Sequence, residues 1–104
     1  MVWSPGTPPH GGTVTFTTTA SDNDGAVRVA QICFGDGSPC QTDSTSLSTL
    51  ELTLACVFGD NWTRQWQHRY LTAGNYFPTL TVTTRGCPAV ADESMSYTAK
   101  ITVI

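Results

Sequence analysis

Alternation of apolar and polar residues, repeated in segment after segment, is the feature that most constrains the fold of this chain. Apolar residues dominate every second position in the runs 14–20, 50–58, 62–70, 76–82 and 95–103. A period of two places alternate side chains on opposite faces of a strand, so each run has one face suited to a core. No segment shows convincing helical periodicity. The sequence therefore predicts an all-β fold.

Turn signals separate these runs. Gly, Asn and Asp cluster in SDNDG (21–25), GDN (59–61) and TAGN (72–75). Short alternating strands joined by such turns are typical of an immunoglobulin-like β-sandwich of about seven to nine antiparallel strands. The runs 50–58 and 62–70 flank one of these turns, which predicts a β-hairpin. A change of apolar parity near Val29 and Ala30 predicts a β-bulge.

The length of 104 residues suits one domain. Residues 1–12 are rich in proline and glycine and are interpreted as a linker or N-terminal extension. We assign residues 13–104 to the sandwich. The first twelve residues have neither the charged nor the apolar region of a signal peptide, so any export signal would lie upstream.

The charge content argues against two classes of partner. Charged residues make up 12% of the chain, and the net charge is −3, whereas about a quarter of residues are charged in a usual soluble domain. Lys100 is the only lysine, and the four arginines are scattered. Nucleic acid and an anionic membrane both require clustered positive charge. We expect no nucleic-acid partner and no membrane insertion, since no apolar run could span a bilayer.

Several short stretches resemble the PKD domain, an immunoglobulin-like β-sandwich named for the polycystic kidney disease protein. Members typically carry W-D-F-G-D-G-S, then H-x-Y, then A-G-x-Y-x-V-x-L-x-V. The turn SDNDG is similar to the family's S-D-P-D-G, and the resemblance spans about residues 13–104. The matching residues here are Phe34, Gly35, Asp36, Gly37, Ser38, His68, Tyr70, Ala73, Gly74, Tyr76, Leu80 and Val82.

Two departures from the family pattern stand out. Ile32 and Cys33 occupy the positions of the family's Trp and Asp. Another large ring must fill the core volume of that Trp, and Trp62 and Trp66 are the candidates. The segment between Gly37 and His68 is also longer than the short loops usual in such folds, so we expect a PKD-like sandwich with an enlarged hairpin.

The stretch CFGDGSPC (33–40) has two interpretations. Gly35 and Gly37 could supply the positive φ of a tight turn in which Asp36 accepts backbone hydrogen bonds. Alternatively, Asp36 could bind a cation, or the amides an anion. A phosphate loop would require a Lys and a following helix, which this stretch lacks. The sequence favours the turn.

Four cysteines in a small, lysine-poor chain suggest disulfides and an oxidising compartment, and hence an extracellular or cell-surface location. The spacing does not match the usual ligand pattern of zinc. Four cysteines allow three pairings, among which the sequence alone does not choose. A bridge is geometrically easy across the turn, so we predict Cys33–Cys40. We predict Cys56–Cys87 as the second bridge, because the turn at 59–61 and the loop after Val82 should lie at the same end of a sandwich.

Single side chains suggest further roles. Tyr76 resembles the tyrosine corner, whose hydroxyl donates to upstream backbone. His68 is interpreted as a strand residue with a satisfied ring rather than a catalytic base. Asp22, Asn23 and Asp24 offer oxygens to calcium, although a full site takes about 6–8 of them; the alternative is an Asx turn. We therefore expect no cofactor, with calcium as an open possibility.

The aromatic residues are the candidate binding groups. Exposed rings stack on sugars or anchor protein interfaces. Trp62, Trp66 and Tyr70 share a parity that favours the core for Trp66 and Tyr70, whereas Trp62, next to a turn, is expected to be more exposed. Asn61-Trp62-Thr63 also fits an N-glycosylation acceptor. The binding candidates are Trp62, Trp66, Tyr70 and Trp3.

These observations predict a non-catalytic binding or spacer module, monomeric and part of a larger secreted or surface protein. The PKD resemblance implies protein–protein or protein–carbohydrate contacts. The alternative is a structural immunoglobulin-like appendage of a phage or surface-layer assembly. An enzyme is not expected, because the sequence lacks G-x-S-x-G and H-E-x-x-H.

Overall fold

The computed structural model describes residues 1–22, 25–44, 60–86 and 93–104. These residues contain strands and turns but no helix, so the all-β prediction is confirmed. The nine strands of this part are β1 (Val2–Ser4), β2 (Thr13–Asp22), β3 (Gly25–Cys33), β4 (Gln41–Ser44), β5 (Asp60–Arg69), β6 (Gly74–Tyr76), β7 (Thr79–Gly86), β8 (Glu93–Thr98) and β9 (Ile101–Val103).

The strands form two main sheets, as a sandwich requires. Sheet A has the order β1-β2-β5, and sheet B has the order β4-β3-β7-β8. A two-stranded sheet of β6 and β9 completes the described fold. The pairs are antiparallel, and the longest runs from Thr13 opposite Arg69 to Asp22 opposite Asp60.

The core lies between the sheets and follows the predicted alternation. Val14, Phe16 and Thr18 of β2 are each at most 1% exposed, and Phe16 packs on buried Phe34 with ring centroids 5.5 Å apart. Leu80 and Ile101 share this core, as predicted, whereas Leu52 lies outside the described residues. The buried apolar residues are Val14, Phe16, Ala30, Ile32, Phe34, Trp66, Tyr70, Leu80, Val82, Ile101 and Val103.

The predicted bulge is present. The pairing of β3 with β7 shifts register between Val27 and Val29, since these residues lie opposite Thr84 and Thr83 in succession. The extra residue, Arg28, explains why the apolar parity changes within this strand. The change of parity was therefore a reliable signal for a break in the ladder.

The N-terminal segment corrects the linker prediction. Val2–Ser4 forms β1 on the outer edge of β2, and the backbone of Ile104 donates to Pro8 at 3.0 Å. The backbones of His10 and Gly11 donate to the carbonyls of Ile104 and Tyr70, both at 2.7 Å. Proline and glycine exclude a long regular strand here, but they do not prevent other segments from binding the backbone. Residues 1–12 therefore pack on the sandwich.

The C-terminal run also differs from its prediction as one continuous strand. It divides at Ala99 and Lys100 into β8, which pairs with β7, and β9, which pairs with β6. Ile101 is fully buried, whereas Met95 and Tyr97 are 40% and 49% exposed. The parity continues through the break, so a period of two cannot reveal that the strand changes partner.

The structure describes only the second of the two strands in the predicted hairpin. Residues 62–70 lie almost entirely in β5, which pairs along its whole length with β2. The first half, 50–58, lies outside the described residues. The enlarged hairpin therefore stays a prediction.

Candidate functional site

The stretch from Cys33 to Cys40 forms a tight turn, as the sequence favours. Gly35 and Gly37 have φ values of 82° and 81°, which are favourable for glycine. Asp36 Oδ1 accepts the backbone N–H of Ser38 at 3.1 Å and also its hydroxyl. The turn interpretation is thus confirmed.

The predicted Cys33–Cys40 disulfide closes this turn. The bond links residues seven positions apart, with 4.4 Å between the Cα atoms. In the chain-entropy model such a short loop stabilises the fold by about 2.5 kcal/mol. Cys56 and Cys87 lie outside the described residues, so their pairing remains a prediction.

His68 joins this turn to sheet A. Its Nε2 lies 2.7 Å from Asp36 Oδ2, and its ring stacks on buried Phe34 with centroids 3.9 Å apart. The predicted satisfied ring is confirmed. The sequence did not reveal Asp36 as the partner, because 32 residues separate the two. The occurrence of both in the PKD-like motifs was the available signal.

Two tyrosines complete the same end of the fold. Tyr70 donates its hydroxyl to the carbonyl of Phe34 at 2.8 Å, and burial raises the pKa of that hydroxyl, with Asp36 adding to the rise. Tyr76 donates to the carbonyl of Thr72 at 2.6 Å, which confirms the tyrosine corner. Tyr76 borders an open pocket of about 810 Å³, which Asp36, His68 and Arg69 also line.

The polar side chains of this pocket stabilise the turn through hydrogen bonds to Asp36. Burial alone would raise the pKa of the Asp36 carboxyl, but hydrogen bonds from Ser38 and His68 outweigh it, and the pKa is lowered. Ser38 directs its hydroxyl hydrogen to Asp36. A nucleophile activated by His68 would have to direct it to the imidazole instead.

The lowered pKa of Asp36 predicts a pH dependence of stability. A depressed folded-state pKa stabilises the fold above the unfolded value of about 4 and loses that contribution as the pH falls further. Asp36→Asn keeps an acceptor for the Ser38 amide but cannot ionise. We expect its free energy of unfolding, measured by urea denaturation, to fall less than that of the wild type between about pH 6 and about pH 3.

His68→Phe is the matched variant for this test. It keeps a ring on Phe34 and removes one partner of Asp36, while Ser38 remains. Its loss of stability on acidification should lie between those of the wild type and Asp36→Asn. Parallel pH profiles for all three proteins would contradict the assignment.

Trp66 and Tyr70 are core residues, which corrects their listing among the binding candidates. They are 2% and 1% exposed. Trp66 Nε1 donates to Thr18 Oγ1 at 2.8 Å, and the ring belongs to the same cluster as Ile32. A ring without an exposed face cannot stack on a ligand. Trp66 supplies the large core ring that Ile32 does not.

Trp62 and Trp3 are each half-buried. Trp3 packs on Phe16 with centroids 6.1 Å apart and donates its Nε1 to the carbonyl of Gly6 at 3.1 Å. Trp62 lies opposite Ala20 on the neighbouring strand, and its ring centroid is 6.5 Å from that of Trp66. Both keep part of a ring accessible, as a binding residue requires.

Trp62 lies in a groove between the two sheets. The groove measures about 440 Å³, and Met95 and Tyr97 of β8 form its other wall. Alternation had suggested that these two side chains belong to the core, but β8 is the last described strand of sheet B. We call this the Trp62–Tyr97 groove; its lining residues are Thr19, Ala20, Ser21, Asn61, Trp62, Thr63, Met95 and Tyr97.

Two of the three candidate calcium ligands lie outside the described residues. Asp22 is the last residue of β2, and its backbone lies opposite Asp60, whereas Asn23 and Asp24 are outside the described residues. Within the described ranges, no group of three or more His, Cys, Asp or Glu side chains could hold a metal ion. Those ranges also contain no helix with the length and apolar character needed to cross a bilayer.

Comparisons of the chain with family models, curated proteins and solved structures give no match. The resemblance to PKD domains therefore rests on the residues quoted above. The fold that it implies agrees with the β-sandwich, and the family assignment itself stays a prediction.

Proposed function

We propose that this chain is a non-catalytic binding module of a secreted or cell-surface protein, and that a neutral glycan binds in the Trp62–Tyr97 groove. The observation that carries the proposal is the groove lining, whose described residues combine two accessible rings with hydroxyl and amide groups and include no charged residue.

The chemistry of the lining fits a sugar. A pyranose presents a face of C–H groups, which packs on an aromatic ring, and a rim of hydroxyls, which needs polar partners. Trp62 and Tyr97 supply the rings, and Asn61 and Thr63 supply polar groups beside them. Among the lining residues that the structure describes, an anionic ligand would find no cation. A neutral glycan is therefore favoured over a charged partner.

The disulfide is compatible with the proposed secreted or cell-surface location. Cys33 and Cys40 are joined in a disulfide, and such bonds persist in oxidising compartments. The turn, the His68 contact and the tyrosine corner also support membership of the PKD-like class. Such modules commonly act beside other domains of a larger chain, and we propose the same arrangement here.

Titration with neutral oligosaccharides tests the proposal. Cellohexaose, chitohexaose and mannohexaose would be titrated into the protein and followed by calorimetry. We expect at least one to bind, and Trp62→Ala to weaken it by about tenfold or more, because truncating an anchor ring costs about 2 kcal/mol.

Trp3→Ala is the matched control, since it also removes a half-buried tryptophan but lies outside the groove. It should bind as the wild type does. Absence of binding to all three glycans, or equal affinity for wild type and Trp62→Ala, would overturn the proposal.

The shape of the chain favours a second candidate, a spacer or structural appendage. The principal extents are 47 × 19 × 18 Å, which describe a rod. A rod separates the domains at its ends without requiring a ligand. If the glycan titrations fail, this role becomes the better account.

A further inference from the structure

The outer face of sheet B carries a regular array of hydroxyl groups. Three cross-strand pairs join β7 to β8, and in each pair the two side-chain oxygens lie within hydrogen-bond distance. The pairs are Thr79–Thr98 at 2.9 Å, Thr81–Ser96 at 3.1 Å and Thr83–Ser94 at 3.0 Å. We call these three pairs the hydroxyl ladder.

The middle rung of the hydroxyl ladder continues across the sheet. Gln31 of β3 lies opposite both Thr81 and Thr42, and Val29 lies opposite both Thr83 and Ser44. Residues directly opposite one another in antiparallel strands project to the same side. The middle rung is thus polar across four strands, whereas the apolar Val29 interrupts the rung of Thr83, and none of these residues is charged.

The spacing of the array follows from strand geometry. Successive rungs lie two residues apart along each strand, which is about 6.6–6.8 Å, and neighbouring strands lie about 4.8 Å apart. Ser94, Ser96 and Thr98 are exposed, and the three β7 threonines are partly so. A ligand can therefore reach every rung from solvent.

Each rung keeps hydrogen-bonding capacity for a ligand. A hydroxyl has one hydrogen to donate and two lone pairs. When one hydroxyl donates to its partner, the partner's own hydrogen and several lone pairs remain available. The mutual hydrogen bond also restricts both rotamers, which lowers the entropy lost on binding.

These properties select one kind of occupant. A single hydroxyl contact in water contributes little, because water competes for the same groups. Only a ligand that meets many rungs together gains enough from the array. The occupant must also be uncharged, since the ladder offers no countercharge, and it must be rich in hydroxyls and extended.

We propose that the hydroxyl ladder is a second contact surface for the flat face of an insoluble, neutral polysaccharide. This inference rests on the proposed glycan-binding function and deepens it. The two surfaces share β8, whose Met95 and Tyr97 face the groove while Ser94, Ser96 and Thr98 form the ladder.

A pull-down on microcrystalline cellulose, chitin and insoluble mannan tests the ladder. Thr81→Arg with Ser96→Arg places two long charged side chains on the middle rung. On the matrix that the wild type binds, we expect the retained amount of the double variant to be lower than that of the wild type by about tenfold or more. Its affinity for the soluble hexasaccharide of the groove should be unchanged.

Two further proteins make the result specific. Gln65→Arg with Gln67→Arg adds the same charge to exposed positions of sheet A and should be retained like the wild type. Thr81→Ser with Ser96→Thr keeps both hydroxyls and should also be retained. Melting temperatures near that of the wild type would show that each variant is folded.

The outcomes separate this inference from the proposed function. Retention of Thr81→Arg with Ser96→Arg at the wild-type level, or equal loss in the sheet A control, would overturn the ladder. Normal binding by Trp62→Ala to both soluble and insoluble glycans would overturn the proposal that the Trp62–Tyr97 groove binds a glycan, but not the proposal for the hydroxyl ladder. Failure of the wild type to bind any of the three matrices would also overturn the ladder, whether or not soluble glycan binds.

Discussion

Trp66→Ala should lower the free energy of unfolding by about 3–5 kcal/mol, the range seen when a buried large aromatic is truncated. Trp66 is 2% exposed, and its removal would leave a cavity beside Thr18, whose hydroxyl would lose its indole donor. Small domains have a total stability of about 5–15 kcal/mol, so the loss is a large share. Urea denaturation monitored by circular dichroism measures it.

Trp66→Phe is the matched variant. It retains most of the buried ring and removes the Nε1 donor to Thr18. We expect it to be destabilised by less than half as much as Trp66→Ala. If both variants were as stable as the wild type, Trp66 would not be the ring that fills this core.

Gly35→Ala should be the most damaging change in the turn. A Cβ at Gly35 would lie 3.0 Å from the backbone N and O of Phe77, whereas a Cβ at Gly37 would have no atom within 4 Å. Both glycines have positive φ, which costs an L-residue about 1–2 kcal/mol. The contact with rigid backbone should add about 1–3 kcal/mol at Gly35, as overpacking does.

Gly37→Ala is therefore the control for Gly35→Ala, because it isolates the cost of the backbone conformation. Thermal and urea denaturation of both variants would measure the difference. Equal destabilisation would contradict the close approach of the turn to the segment around Phe77.

Much of the fold could be predicted from local pattern. The inward face of β2, the bulge in β3 and the turn at Gly35–Gly37 each depend on neighbours in sequence, and the residues there express the local geometry directly. The Cys33–Cys40 bridge follows the same rule, since the turn itself brings the two cysteines together. The analogy with immunoglobulin-like folds added the tyrosine corner.

The features of the fold that the sequence did not predict depend on contacts between residues that are distant in sequence. Alternation shows that 95–103 is extended, but not that β8 and β9 join different sheets, because the side-chain period is the same in both. Glycine and proline mark 1–12 as irregular, but they carry no information about the backbone of Ile104 that binds it.

The candidate site shows the same division. Trp62 could be identified from its position beside a turn, which also predicted that it is more exposed than Trp66 although the two share one parity. Met95 and Tyr97 could not be identified as groove residues from the sequence, because their exposure depends on where β8 lies in sheet B. The Asp36–His68 contact likewise joins two motifs that the sequence keeps 32 residues apart.

A proton–nitrogen NMR titration with a neutral hexasaccharide tests the central claim most directly. The chain has three tryptophans, and their indole N–H signals report on distinct places. Trp66 is buried against Thr18, Trp3 donates to Gly6, and Trp62 lies in the groove. We predict that the Trp62 signal shifts with the ligand and that the other two stay in place. A bound glycan that leaves the Trp62 signal unmoved would contradict the account.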